Sequence, residues 1–468
     1  MTRRKALVWA ATSTRLVVGA ALAAGIVLVV GVGVAAPWPT HQQEPASLTV
    51  TPTPADTVLA CSGPLLALGR DATQAGGLTS VAASETVSAS AGAAFDESTL
   101  SSSPAVAASE GPPALVAPPE GDRRSDAVAA SSATITADDL RGYTASACRP
   151  PLIESWLVGG STTTGAADLV LLANPSDVAA TVQLTLYGAT GLTTPPGGAD
   201  LRVDAHSQRI VPLAALGVAE EAPIVRVTAS GAPVAASLQS NITRTLLPGG
   251  VEQTGAIVAA ETTQVIPGVQ VLPTAVDAGA SGATTVVRVV SPAAPTTVTV
   301  TVVDEDGEEA LRQEAPLEAD LPVEIDVAGL AAGRYSVTVT ADAPVVAAVW
   351  QTTGLGEDSD FAWYTPAPLI AAPTLVAVPP GPTSVLFLAG AGDDADVTLE
   401  PVEGPGAAVD ATVSAGGVTV VTVTSGTVYR LGSAVPVRAS VSYSGQGLLG
   451  GFPVWPADAA AAALTIHP

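Results

Sequence analysis

The sequence predicts a mainly β protein with an N-terminal transmembrane helix, a Pro-rich stalk and tandem immunoglobulin-like β-sandwich repeats. Three observations support this prediction. A long uncharged apolar run lies near the N-terminus. From Trp156 onwards, apolar residues alternate with Thr and Ser, which is typical of half-buried strands. These strands recur as a unit of about 100 residues, the size of an immunoglobulin-like sandwich.

The apolar run extends from Leu16 to Ala36 and holds 21 residues without a charge. At about 1.5 Å per residue, a helix of this length extends roughly 32 Å, enough to cross the hydrocarbon core of a bilayer. Four basic residues precede it, Arg3, Arg4, Lys5 and Arg15, and none of the first 36 residues is acidic. Because positive charge favours the cytoplasmic side, we expect a single-pass protein of the cell membrane, with a cytoplasmic N-terminus and an extracellular ectodomain.

A cleaved signal peptide is the alternative interpretation of this segment. Cleavage after Ala35 is compatible with the sequence, whereas cleavage after Ala36 would leave Pro37 at the new N-terminus. Secretory apolar regions usually run for about 7–15 residues, and this one is longer. We therefore interpret the segment as an uncleaved anchor, and the ectodomain is exported in either case.

The exported part of the chain is strongly acidic. After the four N-terminal basic residues it holds 14 Arg against 43 acidic residues, a net charge of −29. Nucleic-acid binding requires basic patches, so we expect no nucleic-acid partner. The acidity also argues against a protein that lies flat on anionic lipid.

Two cysteines, Cys61 and Cys148, both follow the apolar run. An even number of cysteines in an oxidising compartment predicts one disulfide bond. Two free, buried thiols are the alternative.

The composition between the anchor and Trp156 changes twice. Residues 37–56 contain five prolines, which favour an extended, semi-rigid chain. Residues 79–134 are mostly Ala, Ser, Pro and Gly, so they have little to bury, and we expect part of them to be mobile. A helix or turn is expected to start at Ala137–Asp138.

From Trp156 the pattern repeats three times, and each copy closes on two strands with a proline between them. These prolines are Pro233, Pro344 and Pro436. A propeller would need at least about four shorter units, so we predict three sandwiches. The predicted segments are a cytoplasmic basic segment (1–15), a transmembrane helix or long signal segment (16–36), a stalk (37–56), a Cys-bracketed, partly low-complexity region (57–151) and β-sandwich repeats 1 (152–262), 2 (263–360) and 3 (361–468).

Residues for nucleophilic or metal catalysis are scarce. The three histidines are His41, His206 and His467, and we interpret His206 as a solvated loop residue. The chain has no Gly-x-Ser-x-Gly elbow and no cluster of His and Cys with zinc-ligand spacing. We therefore predict no catalytic residue and no cofactor, and we expect that the protein is not an enzyme.

Acidic clusters are the one chemically suggestive feature. Two loops in matching places of the second and third repeats carry them, and calcium accepts such oxygen ligands. The twelve-residue calcium-loop signature is absent, so we interpret these loops as solvated acidic turns and keep calcium as the alternative. A third acidic group spans residues 357–360. The calcium candidates are Asp304, Asp306, Asp393, Asp394 and Asp396.

Two stretches carry a resemblance to a known family. These are CRPPLIESWLVGG, from Cys148, and WLVGGSTTTGAADLVLLANPSDVAATVQLTLYGATG, from Trp156. They resemble a family of uncharacterised actinobacterial membrane-anchored envelope proteins, which share an N-terminal membrane segment, a Cys pair and this Gly/Thr-rich start of the first repeat. The resemblance covers most of the chain and carries over no activity and no functional residue. Because members are often encoded beside a large membrane glycosyltransferase, it implies a role in building envelope glycans.

These observations support two hypotheses about function. The first is a non-catalytic extracytoplasmic scaffold or binding protein of the bacterial cell envelope, for which the resemblance implies an accessory role in glycan assembly. Its partner would be an envelope protein or glycan, and the resemblance implies the membrane glycosyltransferase as one candidate. The second is a carboxylate-dependent hydrolase or transferase of envelope polysaccharide. A deep acid-lined pocket beside tryptophans would favour the second hypothesis, and a flat exposed surface would favour the first.

Overall fold

A computed structural model describes most of the 468 residues, in two compact units. One unit comprises Met1–Thr51 with Ala463–Pro468, and the other comprises Pro52–Ala462. The described residues are 3–35, 48–50, 53–70, 77–103, 106–107, 111–121, 123–278, 284–327, 329–445, 447–456 and 464–466.

The first unit contains a long apolar helix, α1 (Arg3–Ala35). Its segment Thr14–Val34 has a mean hydropathy of 2.6 and is long and apolar enough to cross a membrane. The unit also contains a two-stranded antiparallel sheet of β1 (Leu48–Val50) and β35 (Leu464–Ile466). Strand β1 falls within the predicted stalk, of which residues 37–47 and 51–52 lie outside the described residues.

The second unit begins with a β module that contains the region predicted to be partly mobile. Its described residues form nine strands in three small sheets, ordered β2-β8-β6, β3-β4-β7 and β10-β9-β5. Within β9, Ala129 and Ala130 are fully buried, because small side chains let neighbouring strands approach closely. Ala137 and Asp138 lie in the turn between β9 and β10. The strands are β2 (Thr57–Ala60), β3 (Leu65–Leu68), β4 (Leu78–Ala82), β5 (Glu85–Ser90), β6 (Asp96–Thr99), β7 (Val106–Ala107), β8 (Pro113–Ala117), β9 (Ala127–Thr136) and β10 (Arg141–Ala147).

The first sandwich packs the sheet β11-β17-β13-β14, with β15 also paired to β13, against the sheet β16-β12-β18-β19. Its core lies between these two sheets and contains Val170, Leu172, Val182 and Leu184. The strands are β11 (Glu154–Val158), β12 (Leu169–Asn174), β13 (Ala180–Gly188), β14 (Gly191–Thr193), β15 (Leu201–Val203), β16 (Ser207–Pro212), β17 (Ile224–Ser230), β18 (Ala235–Arg244) and β19 (Leu247–Gly255).

The second sandwich has two sheets that share one long strand, β25. The first half of β25 pairs with β20 and β22, and the second half pairs with β21 and β26. Pro344 lies where the strand passes from one sheet to the other, a place that suits a residue without a backbone N–H. The elements are β20 (Glu261–Val271), α2 (Pro273–Ala278), β21 (Thr285–Val290), β22 (Thr296–Asp304), β23 (Glu309–Leu317), β24 (Val323–Asp326), β25 (Gly333–Thr352) and β26 (Phe361–Tyr364).

The third sandwich packs the sheet β27-β32-β29-β30 against the sheet β31-β28-β33-β34. Its core contains Leu386, Leu388, Val397 and Leu399, and it is extended by Tyr143 from β10. The strands are β27 (Thr374–Val378), β28 (Thr383–Gly390), β29 (Ala395–Glu403), β30 (Val409–Val413), β31 (Val418–Thr422), β32 (Thr427–Ser433), β33 (Val437–Gly445) and β34 (Leu448–Pro453).

The three sandwiches share one strand order, and the prediction of a mainly β fold with tandem sandwiches is confirmed. The alternation behind it is clear in β22, where Val298, Val300 and Val302 are fully buried and the threonines between them face outwards. One strand belongs to a different sandwich from the one that the predicted repeat boundaries give it. Strand β26 falls within predicted repeat 3, but it pairs with β25 at the edge of the second sandwich.

The predicted disulfide bond is also confirmed. Cys61 and Cys148 are bonded, and both are buried within the first β module. Cys148 directly follows β10, so the bond fixes the end of this strand to the start of the module. Strand β10 then packs beside β19 of the first sandwich and β34 of the third.

Candidate functional site

A cavity of about 300 Å³ lies between the first and second sandwiches, at the low end of the roughly 300–1,000 Å³ typical of ligand pockets. Beside it, the two sandwiches share an apolar cluster that includes Trp156, Tyr187 and Phe361. This cluster holds the walls of the cavity together. The cavity combines acidic residues with tryptophans, the feature that we expected to favour a carboxylate enzyme.

Aromatic side chains form one wall of the cavity. Trp350 on β25 and Trp363 on β26 are directly opposite each other in the strand register, and Phe361 lies nearby with its ring centroid 6.3 Å from that of Trp350. Trp363 is buried, whereas Trp350 is only half-buried. The half-buried ring of Trp350 therefore remains available to a ligand.

Among the described residues that line the cavity, Arg288 is the one basic residue, and it joins the two sandwiches. Its guanidinium is buried and lies 4.7 Å from the ring centroid of Trp363. All five of its N–H groups have partners. Nε and Nη2 donate to Glu324 Oε1 at 3.0 and 2.8 Å, Nη1 donates to the carbonyls of Gly160 and Pro223 at 2.8 and 3.1 Å, and Nη2 also donates to the carbonyl of Glu221 at 3.2 Å.

Asp168 is a buried carboxyl at the same cavity. Its Oδ2 accepts the backbone N–H of Ser161 at 2.6 Å, and its Oδ1 accepts that of Asn241 at 2.9 Å. Burial raises the pKa of Asp168 to about 7, and these two hydrogen bonds and the charge of Arg288 act against the rise. The carboxyl is therefore partly protonated at neutral pH, and both of its oxygens hold backbone in place.

Ser240 supplies a polar group without a partner. Its side chain is 1% exposed and lines the cavity, and its hydroxyl has no hydrogen-bond partner among the described residues. A buried polar group usually has a partner, because an unsatisfied one costs about 1–3 kcal/mol. The oxygen itself has almost no exposed surface, so a ligand hydroxyl or amine would satisfy it once the Ser240 side chain turns towards the cavity.

The calcium candidates lie in two separate places that do not match in the two sandwiches: the hairpin between β22 and β23, and the connection from β28 to β29, which joins the two sheets of the third sandwich and is followed by Asp396 in β29. In the turn between β22 and β23, Asp304 Oδ1 accepts the N–H groups of Asp306 and Glu308, each at 3.0 Å. In the third sandwich, Asp394 accepts the Ala415 N–H at 2.8 Å and Asp396 accepts the Thr412 hydroxyl at 3.0 Å, while Asp393 is exposed. Across the described ranges, no group of three or more His, Cys, Asp or Glu is placed to hold a metal ion.

The third acidic group behaves differently from a solvated turn. Asp360 is buried and accepts backbone N–H bonds from three strands of different modules: from Tyr143 of β10 at 3.0 Å, from Val251 of β19 at 3.3 Å and from Leu449 of β34 at 3.2 Å. We call these four residues, together with Glu252, the junction. Two glycines permit this approach, since a Cβ at Gly142 or Gly250 would lie 2.6 or 2.7 Å from Asp360 Oδ1.

The remaining sequence candidates have simple surroundings. His206 is exposed and its Nε2 lies 2.8 Å from Asp177 Oδ1, while His41 and His467 lie outside the described residues. No sequence motif predicted a functional role for the cavity residues Arg288, Asp168, Ser240 and Trp350. One signal was visible for Arg288, because it is a single charge within the otherwise apolar strand TVVRVV.

The N-terminal candidate membrane helix and the disulfide bond indicate the class of this mainly β protein: a single-pass membrane or extracellular protein. The chain belongs to the family of unknown function DUF5719, whose model matches residues 104–451. No curated protein matches the chain. The expected membership of a family without an assigned activity is thus confirmed. The actinobacterial source and the neighbouring glycosyltransferase stay predictions.

Proposed function

We propose that this protein is a membrane-attached, non-catalytic binding protein of the bacterial cell envelope, and that it holds one sugar unit of an envelope glycan in the cavity. The observation that carries the proposal is that the half-buried Trp350 ring lines the same cavity as Ser240, whose hydroxyl has no partner among the described residues. A sugar ring has an apolar C–H face that packs on an aromatic ring, and hydroxyls that exchange hydrogen bonds with polar groups at the rim.

The partners of the acidic groups support binding rather than catalysis. A general acid must be able to exchange a proton with the bound substrate. Both oxygens of Asp168 accept backbone N–H bonds, and Glu324 is paired with Arg288 at 2.8 Å. These contacts hold the walls of the cavity in position.

The proposal extends to localisation and partners. Helix α1 would anchor the chain with its N-terminus in the cytoplasm, and the glycan would be met outside the cell. A membrane glycosyltransferase that makes this glycan is the protein partner that we propose. The acidic ectodomain would bind no nucleic acid.

The test is ligand binding by the detergent-solubilised full chain. Oligosaccharides released from the envelope should bind, as measured by calorimetry, and Trp350→Ala should weaken binding by at least about tenfold, since stacking on aromatic rings supplies much of such affinity. Trp455→Ala is the matched control, because Trp455 is another half-buried tryptophan outside the cavity. Equal binding by both variants, or no binding by the natural chain, would contradict the proposal.

One observation favours a carboxylate-dependent hydrolase or transferase as the second candidate. Asp168 has its pKa raised to about 7, and it shares the cavity with the ion-paired carboxylate of Glu324. Glycoside cleavage uses two carboxyl groups, one as a general acid and the other as a base or nucleophile. Release of new reducing ends from the bound glycan, lost in both Asp168→Asn and Glu324→Gln while binding persists, would establish this candidate instead.

A further inference from the structure

The kind of ligand that suits the cavity follows from which of its polar groups already have hydrogen-bond partners in the protein. This inference rests on the proposed function. Arg288 uses all five N–H groups on protein acceptors. It therefore offers no donor to a carboxylate, phosphate or sulfate. An anionic ligand would meet a cavity whose one cation is fully occupied.

The acceptors of the cavity, in contrast, remain open. The guanidinium uses only Oε1 of Glu324, which leaves Oε2 for another donor. Glu221 also lines the cavity and is exposed, and it binds Arg288 through its backbone carbonyl, not through its side chain. The Ser240 hydroxyl has no partner among the described residues. The site thus needs a ligand that donates hydrogen bonds.

The balance of charges in the cavity also favours a ligand that donates hydrogen bonds. Among the described residues that line the cavity, three are acidic, Glu221, Glu324 and Asp168, and one is basic, Arg288. The half-buried face of Trp350 adds a surface that attracts cations. A protonated amine would gain from both, whereas an acidic sugar would be repelled.

We propose that the cavity recognises an amino sugar, a sugar unit with a free, protonated amine, in preference to its N-acetylated or acidic counterparts. The apolar face of the ring packs on Trp350. The ammonium group lies among Glu221, Glu324 and Ser240.

The experiment compares three probes of one length on the full chain by calorimetry: a glucosamine oligomer, the N-acetylglucosamine oligomer and a galacturonic acid oligomer. We expect the glucosamine oligomer to bind about tenfold more tightly than the N-acetylated one, and its affinity to fall as salt rises. The galacturonic acid oligomer should not bind. Glu221→Gln should reduce the preference for the amine, and the exposed control Asp393→Asn should not.

The outcomes separate this inference from the proposed function. Equal, Trp350-dependent binding of the amine and N-acetyl forms would overturn the amino-sugar inference and leave the glycan-binding proposal standing. Tight binding of the acidic oligomer would also overturn the inference. Failure of all three probes, together with failure of the released envelope oligosaccharides, would overturn both.

Discussion

The junction around Asp360 makes the stability of the ectodomain depend on pH. Burial raises the pKa of Asp360 to about 8, against the action of four backbone hydrogen bonds. Burial also raises the pKa of the neighbouring Glu252 well above its ordinary value, and the charge of Asp360 adds to the rise. Since both groups are fully buried, water does not screen them.

The sign of the effect follows from proton binding. Between pH 4 and 8 the folded protein keeps a proton on Asp360 that the unfolded chain has lost. The free energy of unfolding therefore falls as pH rises through this window, by about 1.4 kcal/mol per pH unit for one such group. From pH 5 to pH 8 the loss attributable to Asp360 is about 4 kcal/mol, and Glu252 acts in the same direction.

Asp360→Asn isolates this contribution. The amide cannot ionise, but its NH₂ group faces backbone donors, and each N–H left without an acceptor costs about 1–3 kcal/mol. We expect the variant to be less stable than the natural chain at pH 5, and this deficit to shrink by about 4 kcal/mol by pH 8.

Urea unfolding of the full chain in detergent, followed by tryptophan fluorescence at each pH, measures both curves. Asp393→Asn, at an exposed position in the third sandwich, is the matched control and should follow the natural chain. Parallel curves for the natural chain and Asp360→Asn would refute the reasoning, because they would show that the junction holds no proton in this range.

Three further predictions concern the links between parts of the chain. Cys148→Ser should cost about 4–5 kcal/mol, because the disulfide to Cys61 spans 87 residues, and peptide mapping without reductant should find one cross-linked pair in the natural chain. Arg288→Met should lower the free energy of unfolding by about 3–5 kcal/mol in thermal unfolding, because it leaves Glu324 and three carbonyls without their donor. Arg312→Met, at an exposed position, is the control and should change the free energy of unfolding by less than about 1 kcal/mol. Alkali-washed membranes should retain the full-length protein, and a mature N-terminus near Ala36 would contradict the anchor.

Local sequence pattern was sufficient to predict the sandwiches. Where only one face of a strand is buried, Val and Thr alternate visibly, as in the run Thr296–Asp304. The strands of the first module were harder to recognise, because Ala and Ser differ too little in polarity to mark a face. In β9, AVAASSATIT, five consecutive residues are buried, and all five are Ala or Ser, which makes the strand look like a low-complexity segment.

The site could not be predicted because pairing between distant segments creates it. Asp168, Ser240, Arg288 and Trp350 are far apart in the sequence, and no spacing rule connects them. The burial of Asp360 could not be predicted for another reason. It ends an acidic turn that includes the exposed Glu357 and Asp358, and only its position directly before the buried strand Phe361–Tyr364 distinguishes it.

Arg288 and Asp360 both join neighbouring modules through hydrogen bonds. For Arg288, this contact connects the packing of the first two sandwiches to ligand binding in the cavity. Apolar burial is non-directional, so the shared cluster around Trp156 could accept more than one angle between the first two sandwiches. The hydrogen bonds from Arg288 to Gly160, Glu221 and Pro223 are directional, and we infer that they select the angle at which the cavity exists. A ligand that binds only this arrangement must stabilise it in return. Saturation with the glycan should therefore raise the unfolding temperature of the natural chain, and the rise should be smaller in Arg288→Met. An equal rise in both would show that the cavity does not depend on the angle that Arg288 sets.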